Sequence, residues 1–309
     1  MFTTLRHLLE LIRFSHTLFA LPFALLAAVM AWTTPLVSGD HIAFEWRHVA
    51  GILICMVGAR SAAMAFNRWA DFQIDAKNPR TKSRHIPAGI LSRHSVAWFV
   101  IASSLMFVAG TLYFLPENPL PIGLALPVLM FLGGYSYAKR FTSLAHYWLG
   151  LALGLAPVCA WIALRGEEVL VHPSDILPAA ILGAAVWTWV AGFDIIYACQ
   201  DADFDAEHKL HSVPALLGVS GALRLAAASH LLCVLLFAAI PWSALLGGPV
   251  VPLGAIYTTG VAIVAALLVY EHALVRPTDL ARVNVAFFNV NVLISLGLFA
   301  VGVVDLLWR

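Results

Sequence analysis

Long apolar runs are the feature that most constrains this fold. A membrane-spanning helix needs about 20 predominantly apolar residues, and nine runs approach that length. They lie near 15–37, 48–66, 95–115, 121–138, 144–164, 176–199, 222–246, 252–271 and 284–305. Only 11% of the residues are charged, against about 25% in soluble domains. The sequence therefore predicts an all-α integral membrane protein, a bundle of about nine transmembrane helices in one polytopic domain, 1–309.

Basic residues indicate the orientation of these spans. Fourteen of the eighteen Lys and Arg residues fall on the side that carries residues 1–14, and three fall on the opposite side. Arg60 lies within a span. Because Lys and Arg are enriched in cytoplasmic loops, the N-terminus is expected in the cytoplasm.

The second apolar run leads into a polar motif that contains Asn67, Asp71 and Asp75. If the helix continues through the motif, these three side chains share one face, because four residues turn a helix by about 400°. Carboxylate and amide oxygens suit hard cations such as Mg²⁺. The motif is therefore predicted to hold Mg²⁺.

Basic side chains lie close to this motif in sequence. The loop that follows it contains Lys77, Arg80, Lys82, Arg84 and Arg93. Lys139 and Arg140 end the fourth run on the same side, where such a pair can anchor the topology or contact phosphate. Acidic residues that hold metal beside basic residues that donate hydrogen bonds are what a diphosphate site needs.

A second acidic motif ends the sixth run. On a continuous helix Asp194, Tyr197, Asp201 and Asp205 fall on one face, whereas Asp203 is out of phase and faces solvent. The second and sixth runs cross in the same direction, so both motifs are expected on the cytoplasmic side. The two motifs can then converge on a shared metal cluster.

Arg60 is the remaining charge within a span. An arginine there costs at least about 2.5 kcal/mol, so it needs a partner. One interpretation is a structural pair with an acid such as Asp194, and the other is a bound carboxylate ligand.

These features together suggest a substrate with a diphosphate head and a lipid tail. Mg²⁺ would neutralise the charge that develops as the C–O bond breaks, and apolar helices would keep the resulting allylic cation from water. Arg60 could bind the carboxylate of an aromatic acceptor, and Asp194 could polarise or deprotonate its phenol.

Two signatures carry a family resemblance. Asn67-x-x-x-Asp71-x-x-x-Asp75, followed by Asn78-Pro79-Arg80-Thr81, and Asp194-x-x-Tyr197-x-x-x-Asp201-x-x-x-Asp205 resemble the two motifs of UbiA-type intramembrane aromatic prenyltransferases. The resemblance implies nine helices, motifs that face the cytoplasm of a bacterial inner membrane, and Mg²⁺-dependent transfer of a polyprenyl chain to an aromatic ring.

The resemblance also implies a role for each matching residue. Asn67, Asp71 and Asp75 would hold one metal, and Asp201 and Asp205 the other. Asp71, Asp201 and Asp194 would be catalytic. The residues expected at the diphosphate are Lys77, Arg80, Arg84, Lys139 and Arg140. Those expected at the acceptor are Arg60, Asp194 and Tyr197.

The acceptor has two candidates within this resemblance. Asp194–Asp201, together with the later His211-Ser212-Val213-Pro214-Ala215, is most similar to a branch that includes enzymes of the futalosine route to menaquinone. This favours 1,4-dihydroxy-6-naphthoate, with 4-hydroxybenzoate, the acceptor in ubiquinone synthesis, as the alternative. Both molecules carry a carboxylate and a phenol.

Two other functions use polar groups within spans. A phosphatidyl-alcohol transferase also uses aspartates and Mg²⁺, but its acids lie in a single motif. An ion-coupled transporter usually places polar groups near the midplane, whereas most of these acids are expected at cytoplasmic helix ends. Both alternatives are less favoured than the prenyltransferase.

Overall fold

The computed structural model describes residues 2–12 and 19–308, and this part of the chain contains helices but no strand. The helices are α1 (Phe2–Leu11), α2 (Leu21–Thr33), α3 (Trp46–Ala70), α4 (Phe72–Lys77), α5 (Arg93–Thr111), α6 (Leu120–Ala138), α7 (Ala145–Val171), α8 (Leu177–Ala198), α9 (Ala202–Glu207), α10 (Val213–Ala239), α11 (Ala255–Leu274), α12 (Val283–Val285) and α13 (Asn291–Leu307). A π-helical segment, Ala286–Val290, joins α12 to α13.

Within the described residues, eight helical segments are long and apolar enough to cross a membrane. They are Trp46–Ala70, Arg93–Phe114, Leu120–Ala138, Ala145–Val171, Pro173–Glu207, Val213–Leu246, Ala255–Leu274 and Ala286–Leu307. They match the second to ninth predicted runs and confirm the all-α integral membrane fold. The first run contains α2, which has 13 residues, and residues 13–18 of this region lie outside the described part. The orientation stays a prediction.

The described helices form two compact units. The first unit contains α1 and α3 to α6, and the second contains α2 and α7 to α13. The single domain predicted for residues 1–309 stays a prediction.

In the first unit, α3 packs against α5 at glycine positions. A Cβ on Gly58 would lie 2.7 Å from the backbone nitrogen of Phe107, and a Cβ on Gly110 would lie 2.7 Å from Cys55 Sγ. Both distances are shorter than the van der Waals contact that a Cβ atom needs, so the close approach of the two helices requires glycine at these positions. This packing fixes α3, whose C-terminal end carries the first acidic motif.

In the second unit, α7 packs against α8 in the same way. A Cβ on Gly154 or Gly183 would overlap the carbonyl group of the other residue. At the next contact along α7, Trp187 Nε1 donates a 2.7 Å hydrogen bond to the carbonyl oxygen of Tyr147. The N-terminal part of α7 is therefore held against the part of α8 that leads to the second acidic motif.

The start of α10 differs from the predicted run 222–246. The helix begins at Val213 because Ser212 Oγ accepts the Ala215 N–H at 3.3 Å and Pro214 occupies the first turn. Gly218 then interrupts the helix with a φ of 68°, a conformation that glycine adopts readily. The prediction found the apolar part of α10 beyond this break and missed the short part before it.

A buried ion pair joins α7 to the end of α2. Arg165 donates to both oxygens of Asp175 at 2.6 and 2.9 Å and to the carbonyl oxygen of Thr34 at 2.7 Å. Trp161 Nε1 also donates to Asp175 at 3.0 Å. Because Arg165 is only 1% exposed, its charge depends entirely on these partners.

We expect Arg165→Met to destabilise the protein by about 3–5 kcal/mol, because Asp175 would become a buried charge without a counter-ion. Thermal unfolding in detergent measures the loss. Arg47→Met is the matched control, since Arg47 pairs with Glu117 at 3.0 Å where both side chains are partly exposed, and such pairs contribute about 0–1 kcal/mol. Equal losses in the two variants would contradict the assignment, and adding Asp175→Asn to Arg165→Met should restore part of the stability.

Candidate active site

The first acidic motif begins at the end of α3 and continues into α4. The predicted continuous helix is wrong at one residue, because Asp71 has a φ of −96° and a ψ of 9° and separates the two helices. The backbone hydrogen bonds between residues four positions apart are nevertheless present on both sides of Asp71. The Asp71 N–H donates to the Asn67 carbonyl at 2.9 Å, and the Asp75 N–H donates to the Asp71 carbonyl at 2.8 Å.

The three side chains of this motif differ in their partners. Asn67 Nδ2 donates to Asp71 Oδ2 at 2.9 Å. Asp75 Oδ1 accepts a 2.6 Å hydrogen bond from Arg84. Asp75 Oδ2 is buried and has no hydrogen-bond partner among the described residues. A buried carboxylate oxygen without a partner is costly, so this oxygen is suited to a cation.

A cavity of about 210 Å³ adjoins Asp75. It is lined by Glu10, Leu11, Arg68, Asp75, Arg80, Thr81, Ser83, Arg84, His85, Ile86 and Pro87. Two predicted phosphate contacts, Arg80 and Arg84, therefore face one cavity. Arg68, which was not predicted as a phosphate contact, lines the same cavity. The exposed Lys77 is not among the lining residues.

The loop that forms this cavity is built by short polar contacts. The Arg80 N–H donates to Asn78 Oδ1 at 2.9 Å, and Thr81 Oγ1 donates to the Asp75 carbonyl at 3.0 Å. Arg93, also considered a phosphate contact, instead lies over the rings of Trp69 and Phe72, at 4.8 and 4.1 Å from their centroids.

Glu10 contributes a negative charge to the rim of this cavity. It accepts a 2.8 Å hydrogen bond from Arg6 and lies 3.6 Å from His85 Nε2. The pKa of Glu10 is lowered, mainly by the hydrogen bond from Arg6. The carboxylate is therefore ionised near neutral pH and balances part of the basic charge of the cavity.

The second acidic motif is also interrupted. Helix α8 ends at Ala198, a 3₁₀ turn covers Cys199–Asp201, and α9 follows. The predicted continuous helix through Asp194 and Asp201 is therefore wrong, because a 3₁₀ turn, which winds more tightly than an α-helix, interrupts it. Asp203 is exposed, as predicted, whereas Asp201 and Asp205 are buried.

Asp205 resembles Asp75 in its partners. Its Oδ2 is buried and makes no hydrogen bond within the described residues, and Lys139 Nζ lies 3.8 Å from the same oxygen. Lys139 is held in place because its carbonyl accepts the His211 N–H at 2.8 Å. Lys139 therefore lies beside the second acidic motif and does more than anchor a helix end. Its neighbour Arg140 is exposed.

Asp194 has a partner that the sequence analysis missed. His146 Nδ1 lies 2.6 Å from Asp194 Oδ2, and the His146 side chain is 1% exposed, against 16% for Asp194. A usable signal was present, since His146 lies within the apolar run 144–164, where a polar side chain needs a partner.

The other two residues predicted at the acceptor, Tyr197 and Arg60, lie in different surroundings. The Tyr197 ring lies 4.4 Å from that of Phe287, centroid to centroid. Arg60 Nε is buried and has no hydrogen-bond partner within residues 2–12 and 19–308. The acceptor roles of both residues stay predictions.

The oxygen donors of both motifs fit Mg²⁺. Within the described ranges no three His, Cys, Asp or Glu side chains gather around one point as a metal site. Mg²⁺ does not require such a cage, because it usually binds one or two carboxylates, several waters and substrate phosphates. The buried oxygens of Asp75 and Asp205 are the carboxylate atoms that would serve it.

A comparison with protein families decides the classification. Residues 20–293 match the model of the UbiA prenyltransferase family. The chain belongs to the UbiA prenyltransferase family. As a UbiA-family member it is a membrane-integral polyprenyltransferase, which favours the enzyme over the transporter and the phosphatidyl-alcohol transferase.

Relatives support this membership. The chain is 31% identical over 232 residues to the 4-hydroxybenzoate octaprenyltransferase of Ralstonia nicotianae, covering 75% of this chain and 73% of the relative. It is 32% identical over 249 residues to the 4-hydroxybenzoate octaprenyltransferase of Cupriavidus necator, covering 80% and 79%.

Solved structures of the UbiA family share the fold. The apo structure of a UbiA homolog from Aeropyrum pernix K1 matches with a TM-score of 0.80 and 34% identity, over 94% of this chain and 98% of that one. A UbiA homolog from Archaeoglobus fulgidus bound to GPP and Mg²⁺ matches with a TM-score of 0.61 and 18% identity, over 96% and 99%. The second likeness concerns the fold alone.

We expect Arg80→Ala to raise the KM for a polyprenyl diphosphate about tenfold, because charge-assisted hydrogen bonds contribute about 1.5–3 kcal/mol and this cavity keeps other cations. Lys82→Ala is the matched control, since Lys82 lies in the same loop, is exposed and does not line the cavity. Steady-state kinetics with varied donor measures both variants. A larger effect of Lys82→Ala than of Arg80→Ala would contradict the cavity as the diphosphate site.

Proposed function

We propose that this UbiA-family enzyme transfers a polyprenyl chain from its diphosphate to the ring of a carboxylated phenol in quinone biosynthesis, with 1,4-dihydroxy-6-naphthoate as its acceptor. The observation that carries the proposal concerns Asp75 and Asp205, one in each acidic motif. Each keeps a buried carboxylate oxygen that makes no hydrogen bond among the described residues, and each lies beside a basic side chain. The second candidate acceptor is 4-hydroxybenzoate, which the names of the two bacterial relatives favour.

On the donor side, the proposal assigns Mg²⁺ to Asn67, Asp71 and Asp75 and to Asp201 and Asp205. Bound Mg²⁺ would neutralise the negative charge that grows on the leaving diphosphate. Hydrogen bonds to the diphosphate oxygens would come from the basic side chains of Lys77, Arg80, Arg84, Lys139 and Arg140. The proposal is supported by the Arg80 and Arg84 side chains at one cavity and by the Mg²⁺ and GPP named for the Archaeoglobus fulgidus homolog.

The reaction exchanges one bond to the prenyl carbon for another. The C–O bond to diphosphate breaks, and its electron pair leaves with the diphosphate. A ring carbon beside the phenol oxygen attacks the allylic carbon and forms the new C–C bond. Asp194 accepts the phenol proton as the ring attacks. The attacked ring carbon then gives its proton to the released diphosphate, and Asp194 returns the first proton to the ring oxygen, which restores the aromatic phenol.

On the acceptor side, the proposal uses one intramembrane cation and one acid. Arg60 would bind the acceptor carboxylate in a bidentate pair, which its unpartnered Nε supports. Asp194 would accept the proton from the phenol, and Tyr197 would pack against the ring. Apolar helices around the site would exclude water from the cationic intermediate.

The positive-inside pattern and the motif positions lead us to propose a cytoplasmic opening in a bacterial inner membrane. Donor, acceptor and Mg²⁺ would then enter from the cytoplasm, and the prenyl chain would lie among membrane lipids.

A competition assay tests the function. Membranes that contain the enzyme receive Mg²⁺, a polyprenyl diphosphate, and equal amounts of 1,4-dihydroxy-6-naphthoate and 4-hydroxybenzoate. We expect the prenylated naphthoate as the main product, and loss of product on chelation of Mg²⁺. Asp71→Ala and Asp201→Ala should each lower turnover by at least about 10²–10³-fold, the scale of losing charge stabilisation at the leaving group.

The outcomes separate the candidates. If prenylated 4-hydroxybenzoate were the main product, the acceptor would be 4-hydroxybenzoate and not the naphthoate. Near-normal turnover in either aspartate variant, at equal amounts of folded protein, would contradict the metal assignment. Diphosphate release without either product would refute both acceptors.

We expect Arg60→Ala to raise the KM for the acceptor about 10- to 100-fold with little change in kcat, because it removes a binding interaction present in ground and transition states alike. The KM for the polyprenyl diphosphate should stay constant. An unchanged KM for the acceptor would indicate that Arg60 has only a structural role. A raised KM for the polyprenyl diphosphate would indicate that Arg60 binds the diphosphate instead.

A further inference from the structure

The contact between His146 and Asp194 joins two helices of the second unit. His146 is the second residue of α7, and Asp194 lies in the last turns of α8. Their 2.6 Å hydrogen bond uses Asp194 Oδ2. Since the Asp194 side chain retains 16% exposure, its other oxygen, Oδ1, is left for a ligand.

A second contact selects the tautomer of His146. The backbone N–H of Val213 donates to His146 Nε2 at 3.4 Å. A nitrogen that accepts a hydrogen bond carries the lone pair, so the ring proton is on Nδ1. The neutral imidazole therefore donates its proton to Asp194 Oδ2.

The surrounding structure holds this ring rigidly. Tyr147, next to His146, is tied to α8 by the hydrogen bond from Trp187 Nε1. Val213 is the first residue of α10, and its position is fixed by the Ser212 cap. Three helices thus determine where the Nδ1–H points.

We propose that His146 is a positioning residue for prenyl transfer, and that its Nδ1–H orients the Asp194 carboxylate so that Oδ1 faces the acceptor phenol. The inference rests on the proposed function, in which Asp194 accepts the phenol proton. A donor on Oδ2 stops the carboxylate from rotating, while Oδ1 remains available to take the proton.

A conservative series separates this role from a structural one. In His146→Asn the amide nitrogen can occupy the place of Nδ1 and donate to Asp194, but nothing replaces Nε2. In His146→Gln the amide can reach the place of Nε2 and contact the Val213 N–H. His146→Leu keeps neither contact and only fills the space.

We expect His146→Leu to lower kcat about 10- to 100-fold, part of the contribution of a general base, with the KM for the polyprenyl diphosphate unchanged. His146→Asn should recover most of the kcat, and His146→Gln should recover less. In an Asp194→Asn background, His146→Leu should have no further effect, because residues that act through one group are not additive. Each variant is compared at equal amounts of folded protein, with the melting temperature measured in detergent.

Three results would overturn the inference. The first is a wild-type kcat in His146→Leu. The second is recovery by Gln but not by Asn, which would show that His146 anchors α10. The third is an additional loss in the Asp194→Asn background. A wild-type enzyme that prenylates neither acceptor would instead refute the proposed function, and the inference with it.

Discussion

The burial of carboxylates in an apolar protein is the constraint on which the rest of this structure depends. An ionised acid removed from water needs partners for its charge and its lone pairs. Asp175 has a complete set, because Arg165 and Trp161 bond both of its oxygens. Asp75 and Asp205 each have a basic neighbour but keep one buried oxygen without a hydrogen bond among the described residues. Acids that only stabilise a fold are expected to be satisfied like Asp175. Glu271 also keeps a buried oxygen without a hydrogen bond, but among the described residues only Asp75 and Asp205 combine such an oxygen with a basic neighbour. We propose that this combination marks the carboxylates that bind a ligand.

The two acidic motifs share a local conformation as well as a spacing. Asp71 and Asp201 both leave the α-helical region, with φ and ψ of −96° and 9° in one and −107° and 7° in the other. Each is followed by a helix of six residues whose fourth residue is the buried acid, Asp75 or Asp205. This part of conformational space is sparsely occupied and often found at active sites. In both motifs this backbone conformation separates a membrane helix from a short helix, and the acid on the short helix, Asp75 or Asp205, is buried in the protein.

The sequence predicted the helical membrane fold and the residues of both motifs, because apolar length and acid spacing are local properties. It did not predict the breaks at Asp71 and Asp201, since no Pro or Gly marks them and each motif is compatible with an unbroken helix. It also missed His146, whose contact with Asp194 joins residues 48 positions apart. That contact depends on the packing of α7 on α8 through Gly154 and Gly183, and small residues alone do not show which side chains they bring together.

The partner of each acid also decides which task it can perform. Asp75 faces a guanidinium and Asp205 faces an ammonium group, and both are acids that we propose to hold a cation. Asp194 faces a neutral imidazole N–H instead. The imidazole N–H orients the carboxylate through Oδ2 and leaves Oδ1 for a ligand. The acids proposed to hold a cation and the acid proposed for proton transfer therefore differ in their partners, which are basic side chains in one case and a histidine N–H in the other.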